Sequence, residues 1–308
     1  MIKNYTQRVA QTAILDVKGS YAQRTQMAAA KNAEFFAQIS DTFEKEKQIS
    51  VKKFGAILRK FIPNIKLIIK KNQEKDASGC LHFQCPKGVI KGFILELPIC
   101  AKNKTISASK GFVGMHETRH LFDYALNPKF SAKANESILE KRFPGYMSRV
   151  DKYYDFFDKH LYEDERSLSE VQKWDKNPEA LVQKRLEKLE KKTRKVFAAP
   201  EISSDEKIEI MQAWRYALMT EKNANIDDIT YDNKIALGKK MKKSKNSDAA
   251  EKLRLDTELD IKQEIRQEVG EEFFFDGKIF VLEKLLKEEI ANHRREHAQQ
   301  LQLNVKIR

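Results

Sequence analysis

The sequence has little punctuation, with 11 glycines and 7 prolines in 308 residues. So few of either exclude a linker-dominated or collagen-like chain. The long stretches of Ala, Leu, Lys, Glu and Gln between them favour helix over strand. Cysteine is scarce too: Cys80, Cys85 and Cys100 fall within one short region. No opening apolar segment of signal-peptide type precedes them, so a reducing compartment is the simpler expectation. No apolar run approaches the roughly 18 residues that a membrane-spanning helix needs. The expected location is therefore the cytoplasm, or export without a cleaved signal peptide.

What the chain does have is positive charge: 58 Lys and Arg against 45 Asp and Glu, a formal net charge of +13. Such an excess suits an acidic partner, a nucleic acid or a negatively charged surface. The basic residues are spread along several predicted helices rather than gathered in one aromatic-bearing stripe, which argues against nucleic acid as the main partner. A non-enzymatic, basic helical protein that binds nucleic acid or a protein partner remains the rival to the reading developed below. No pattern in the chain fixes an oligomeric state.

Residues 1 to about 75 carry helical periodicity, at Val9 to Val17, Met27 to Phe36 and Val51 to Ile69, the last broken near Pro63. The texture changes at Asp76-Ala77-Ser78-Gly79. Beyond it CLHFQC, VIKGFILELPI and KTISAS read as short strands parted by turns. Helices are expected again at Lys133 to Phe143, Arg149 to Leu161, Glu179 to Phe197 and Ser204 to Asn225. The basic run Gly238 to Asp248 reads as a loop, and the last helices as interrupted near Gly270 and Gly277. These patterns predict a mainly α (α+β) protein in three parts: an N-terminal helical segment (1–75), a core (76–235), and a basic loop with C-terminal helices (236–308).

One stretch carries chemistry. Gly111 to Leu126 reads GFVGMHETRHLFDYAL and holds His116, Glu117 and His120 as H-E-x-x-H. Residues four apart stack on one helix face, so the two imidazoles can converge on one tetrahedral metal ion. Glu117, one residue on, turns away from the coordination sphere and toward a bound water, placed to take its proton. Val113, Met115, Phe122, Ala125 and Leu126 supply the apolar stripe of a buried helix, and Asn127-Pro128 is a plausible stop. The contrary reading makes both histidines ordinary residues of an amphipathic helix, with Glu117 and Arg119 on its solvated side.

The stretch resembles the active-site helix of the zincin metallopeptidases. It lacks the glycine and third histidine of the metzincin subgroup, since Leu121, Phe122, Asp123, Tyr124 and Ala125 follow instead. The resemblance implies Zn2+ held by His116 and His120, Glu117 as general base, and a small sheet packed on the H-E-x-x-H helix. It implies a zinc-dependent endopeptidase acting on a protein or peptide substrate, and, in a bacterium, an effector or toxin-like protease.

The third ligand must come from elsewhere. Glu221 lies one turn after Leu218, near the apolar face of its helix, where an unpaired carboxylate would be costly without a cation. The gluzincin branch of the zincins takes its third ligand from a glutamate on a later helix, commonly followed by a small residue, and Glu221 with Ala224 is similar. Asp123, Glu136, Glu163 and Glu165 compete with it. Asp123 borders the histidine face, three residues after His120, where a carboxylate can accept the free ring N–H of a ligand histidine. Tyr216, Tyr231 and His160 are candidates to stabilise an oxyanion. His293, Glu296 and His297 match an inverted H-x-x-E-H motif. Their neighbours, Arg294, Arg295, Gln299 and Gln300, mark a solvated helix instead.

Overall fold

The structure, a computed structural model, describes residues 19–63, 65–72, 79–84, 91–108, 111–127, 140–145, 156, 178–198, 202–241, 251–260 and 270–306. It is mainly helical with a small β component.

Helix α1 (Tyr21–Glu46) starts at a capping box, in which the Ser20 hydroxyl accepts from the Gln23 amide and the Gln23 side chain accepts from the Ser20 amide. It ends at Lys47, whose φ of 55° stops the helix in the left-handed region. Ala28, Phe35, Phe36, Ile39 and Phe43 recur at helical spacing and are buried. A three-residue strand, β1 (Gln48–Ser50), follows, and Ser50 caps α2 (Val51–Phe61). Phe35 stands edge-on to Phe54 and Phe61, at 5.1 and 5.9 Å between ring centroids, and so joins α1 to α2.

The sheet is built from β2 (Lys66–Lys71), β3 (Cys80–Gln84) and β4 (Gly92–Leu97) in the order β2-β4-β3. The central strand β4 pairs parallel with β2 and antiparallel with β3. Its Phe93, Leu95 and Leu97 are fully buried. Between them Glu96 meets Lys70 at 2.7 Å and His82 at 3.4 Å, the alternation that a pleated strand imposes. Strand β5 (Thr105–Ser107) leaves this sheet and pairs antiparallel with β1. Helix α3 (Gly111–Leu126) follows, and its Met115, Leu121, Phe122, Ala125 and Leu126 share one core with the sheet, α1 and α2.

Further along the chain are α4 (Pro178–Phe197), α5 (Ser204–Met241) and α6 (Gly270–Lys306), and residues 251–260 are helical as well. The chain divides into two compact units: Met1–Ile138 with Thr220–Glu264, and Leu139–Met219 with Ile265–Arg308. The boundary falls inside α5. The second unit has its own core, including Leu189, Phe197, Trp214, Leu218 and Leu282. There α6 passes so close to α4 that a Cβ on Gly277 would lie 2.6 Å from a Leu186 methyl.

Several expectations change. Residues 66–69 are strand, not helix: Pro63 cannot supply an amide to continue α2, and β4 offers a partner. The strand region therefore begins before residue 76. Helices α1 and α2 share a core with the sheet and α3. Helix α5 runs on through Gly238 to Met241, so the basic run starts in helix, as lysine's propensity allows. Helix α6 starts at Gly270 but passes through Gly277 uninterrupted. Residues 9–17, most of 133–143 and most of 149–161 lie outside the described residues, as does Cys85. Cys80 and Cys100 are free thiols, the first half-buried and the second exposed.

Candidate metal centre

From Val113 on, helix α3 has no solvated side. Glu117 and Arg119, the two residues that an ordinary amphipathic helix would expose, are 6 % and 3 % accessible. Its end matches the sequence signal, with Asn127 bonding back to the Asp123 carbonyl at 3.0 Å through both its backbone amide and its side-chain amide.

The histidine Nε2 atoms of His116 and His120 stand 3.1 Å apart. Glu221, from α5, closes a triangle on them: its Oε2 is 3.4 Å from His116 Nε2 and its Oε1 3.3 Å from His120 Nε2. Donors about 2.0–2.1 Å from a tetrahedral zinc ion are about 3.3 Å from one another. The two ring nitrogens are near that spacing, Glu221 reaches each of them through a different oxygen, and one ligand atom from each of the three residues lies within 4.8 Å of the others; two imidazoles with one carboxylate form a donor set zinc takes.

Groups around the three residues complete the picture. Asp228, two turns beyond Glu221, accepts from His116 Nδ1 at 2.8 Å and fixes the tautomer that leaves Nε2 free. Tyr124 stacks beside the His120 ring, and its hydroxyl meets Thr220. His120 Nδ1 is buried and has no hydrogen-bond partner among the described residues. Glu117 lies against the residue preceding β3: a Cβ built on Gly79 would stand 2.3 Å from Glu117 Cγ and 3.0 Å from the Glu96 carbonyl. Only glycine admits the side chain there.

The electrostatics follow from burial and pairing. Burial disfavours a charged His116 ring, but the hydrogen bonds and charges of Asp228 and Glu221 outweigh it and push the imidazole up to about 10. His120 also rises, because Glu221 outweighs its burial. Glu221 is held well below the usual carboxylate range: burial opposes its charge, but the two histidines prevail. Glu117 moves the other way. Burial raises it, and the nearby histidines only partly compensate.

The structure thus brings together His116, His120 and Glu221, with Glu117 alongside. Asp123 sits apart from the donor triangle; its Oδ2 accepts from Arg119 Nε at 3.1 Å and from Asn223 Nδ2 at 3.2 Å. The carboxylate on a histidine ring N–H is Asp228, which the sequence reading did not single out. A signal existed: Asp228 follows Glu221 by seven residues, two helical turns, and so shares its face. Glu136, Glu163, Glu165 and His160 lie outside the described residues. Tyr231 packs on Phe36 at 4.9 Å, with its hydroxyl near Ser40, and so faces the core. Tyr216 belongs to the other unit. His82 is half exposed and pairs with Glu96, and His293 and His297 are partly to fully exposed on α6. No protein family, no curated relative and no solved structure matches the chain.

Proposed function

We propose that the chain is a zinc-dependent peptidase that hydrolyses a protein or peptide bond at the His116–His120–Glu221 centre. The observation that carries this reading is the His116–His120–Glu221 group closed by a residue about a hundred positions away, with the buried Glu117 carboxylate beside it. Zinc held there supplies a Lewis acid that polarises a scissile carbonyl and makes water a nucleophile near neutral pH.

The protein's own groups do the rest. Glu117 accepts the proton of the attacking water on its carboxylate and delivers it to the leaving amine. Its raised proton affinity, caused first by burial, suits both halves of that transfer. Gly79 leaves room for the Glu117 side chain in its present direction, which a larger residue there would deny. Asp228 keeps His116 in one tautomer, and Tyr124 orients His120 by stacking. Among the described residues no helix is long and apolar enough to cross a membrane.

The test is elemental metal content of the wild type, His116→Ala and Glu117→Gln, all prepared without chelator or histidine tag, beside cleavage of a mixed peptide library. One zinc per chain is expected in the wild type and in Glu117→Gln, and none in His116→Ala. Cleavage is expected only in the wild type. A wild type that takes up no zinc overturns the reading and returns the basic-surface binder. A zinc protein whose cleavage of peptides is nil would reduce the centre to a structural staple.

A further inference from the structure

Arg119 lies within the H-E-x-x-H turn, yet neither ligation nor proton transfer uses it. It is a buried guanidinium held by two carboxylates: Nε donates to Asp123 Oδ2 at 3.1 Å and one terminal amine to Asp227 Oδ1 at 2.8 Å. Asp227 Oδ2 accepts in turn from Asn32 Nδ2 of α1 at 2.8 Å, and the fully buried Asn32 takes the Thr118 hydroxyl at 2.7 Å. Asn223, one turn before Asp227 on α5, donates to Asp123. The residues that meet this network from α5, Asn223 and Asp227, interleave with Glu221 and Asp228, which meet the histidines.

Glu221 and Asp228 meet the histidines directly, at 2.8 to 3.4 Å. Beside those contacts, the Arg119 network is a second tie between α3 and α5, one that involves none of the ligand atoms. We propose that Arg119 is a positioning residue: through Asp227 and Asp123 it fixes α5 against α3, so that Glu221 and Asp228 arrive at the histidines already oriented. This rests on the metal-centre reading for its consequence, though not for its geometry. A buried pair in which one guanidinium serves two acids is specific to arginine's planar fork, so lysine replaces it poorly.

The experiment compares wild type, Arg119→Met, Arg119→Lys and Asp227→Asn, in full-length protein, by two readouts. The first is zinc affinity, from competition with a chromophoric chelator. The second is the imidazole 1H–15N spectrum of the metal-free protein at one fixed pH, which reports the hydrogen bonds of His116 and His120 without metal. Arg119→Met and Asp227→Asn are expected to bind zinc about 10- to 100-fold more weakly, the range seen when groups behind metal ligands are lost. Both should lose the hydrogen-bonded imidazole pattern, and Arg119→Lys should recover only part of either. Should Arg119→Met fail to fold, Asp227→Asn decides alone, since it leaves Arg119 paired with Asp123. Folded variants with wild-type zinc affinity and unchanged imidazole spectra, whatever their melting temperature, overturn the proposal. If the wild type itself takes no zinc, the peptidase reading fails, and the spectra still decide whether Arg119 positions the two acids.

Discussion

Asp228 Oδ2 lies 2.8 Å from His116 Nδ1, across 112 residues of sequence, and is the contact that assigns the two nitrogens of that ring their roles. With Nδ1 donating to the carboxylate, Nε2 is the nitrogen that faces His120 and Glu221 and that a metal would take once its proton is displaced. Asp228→Asn should therefore keep the fold and weaken zinc about 10- to 100-fold. Asparagine can present either an acceptor or a donor to Nδ1, and it removes the charge that raises the ring's basicity. Competition titration of the folded variant measures the loss, and an unchanged affinity would show that the contact does not act on the metal.

The same contact predicts how zinc binding depends on pH. In the metal-free protein His116 is raised from its ordinary 6.5 to about 10. At neutral pH the ring carries a proton that zinc must displace. Binding should release protons at pH 7, and apparent affinity should climb as pH rises toward 10. Calorimetry in buffers of different ionisation enthalpy counts those protons. Stability of the metal-free form runs oppositely. A raised pKa contributes stability that is full below about 6.5 and is lost as pH rises through about 10. The lowered Glu221 contributes stability that is present above its ordinary 4.5 and is lost only in strong acid. The wild type should therefore lose its margin over Asp228→Asn between pH 6.5 and 10 without zinc.

Gly79→Ala isolates the proton carrier from the ligands. A methyl at 2.3 Å from Glu117 Cγ, with the Glu96 carbonyl at 3.0 Å behind, leaves the carboxylate no place in its present direction. A displaced general base costs on the order of 100-fold in rate. The variant should keep one zinc per chain while kcat falls by that order. Loss of zinc together with activity would place Gly79 in the scaffold rather than at Glu117.

How far the sequence could be read follows the range of the forces involved. His116, Glu117 and His120 share one helix, so their relation is fixed by local geometry and was legible from spacing alone. Ser203 and Glu206 cap α5 by mutual hydrogen bonds, again a local pattern, and the expected start of that helix is where it lies. Glu221 could be nominated from its place near an apolar face, but its distance to the histidines depends on how two helices pack. Asp228 shares the face of Glu221, but its contact with His116, like that of Arg119 with Asp227, depends on the same packing of two helices. Strand β2 was misjudged because Leu67 to Ile69 is an unbroken apolar run that fits helix or strand, and its pairing with β4 decides what periodicity does not. Glycine 277 signals a break by propensity, yet the close approach of Leu186 gives it a packing role inside a continuous helix.

Zinc should also act on folding, because the three donors come from positions that only the folded chain brings together. A ligand that binds the native state alone adds about 2.7 kcal/mol when its free concentration is 100 times its Kd. Thermal unfolding followed by circular dichroism should therefore show a higher midpoint with zinc than with chelator in the wild type and in Glu117→Gln. No difference is expected in His116→Ala, which lacks a ligand. Glu221→Ala should fall with His116→Ala, because its carboxylate closes the triangle. A zinc-dependent shift that survives in Glu221→Ala would remove that residue from the ligand set and leave His116 and His120 with another partner.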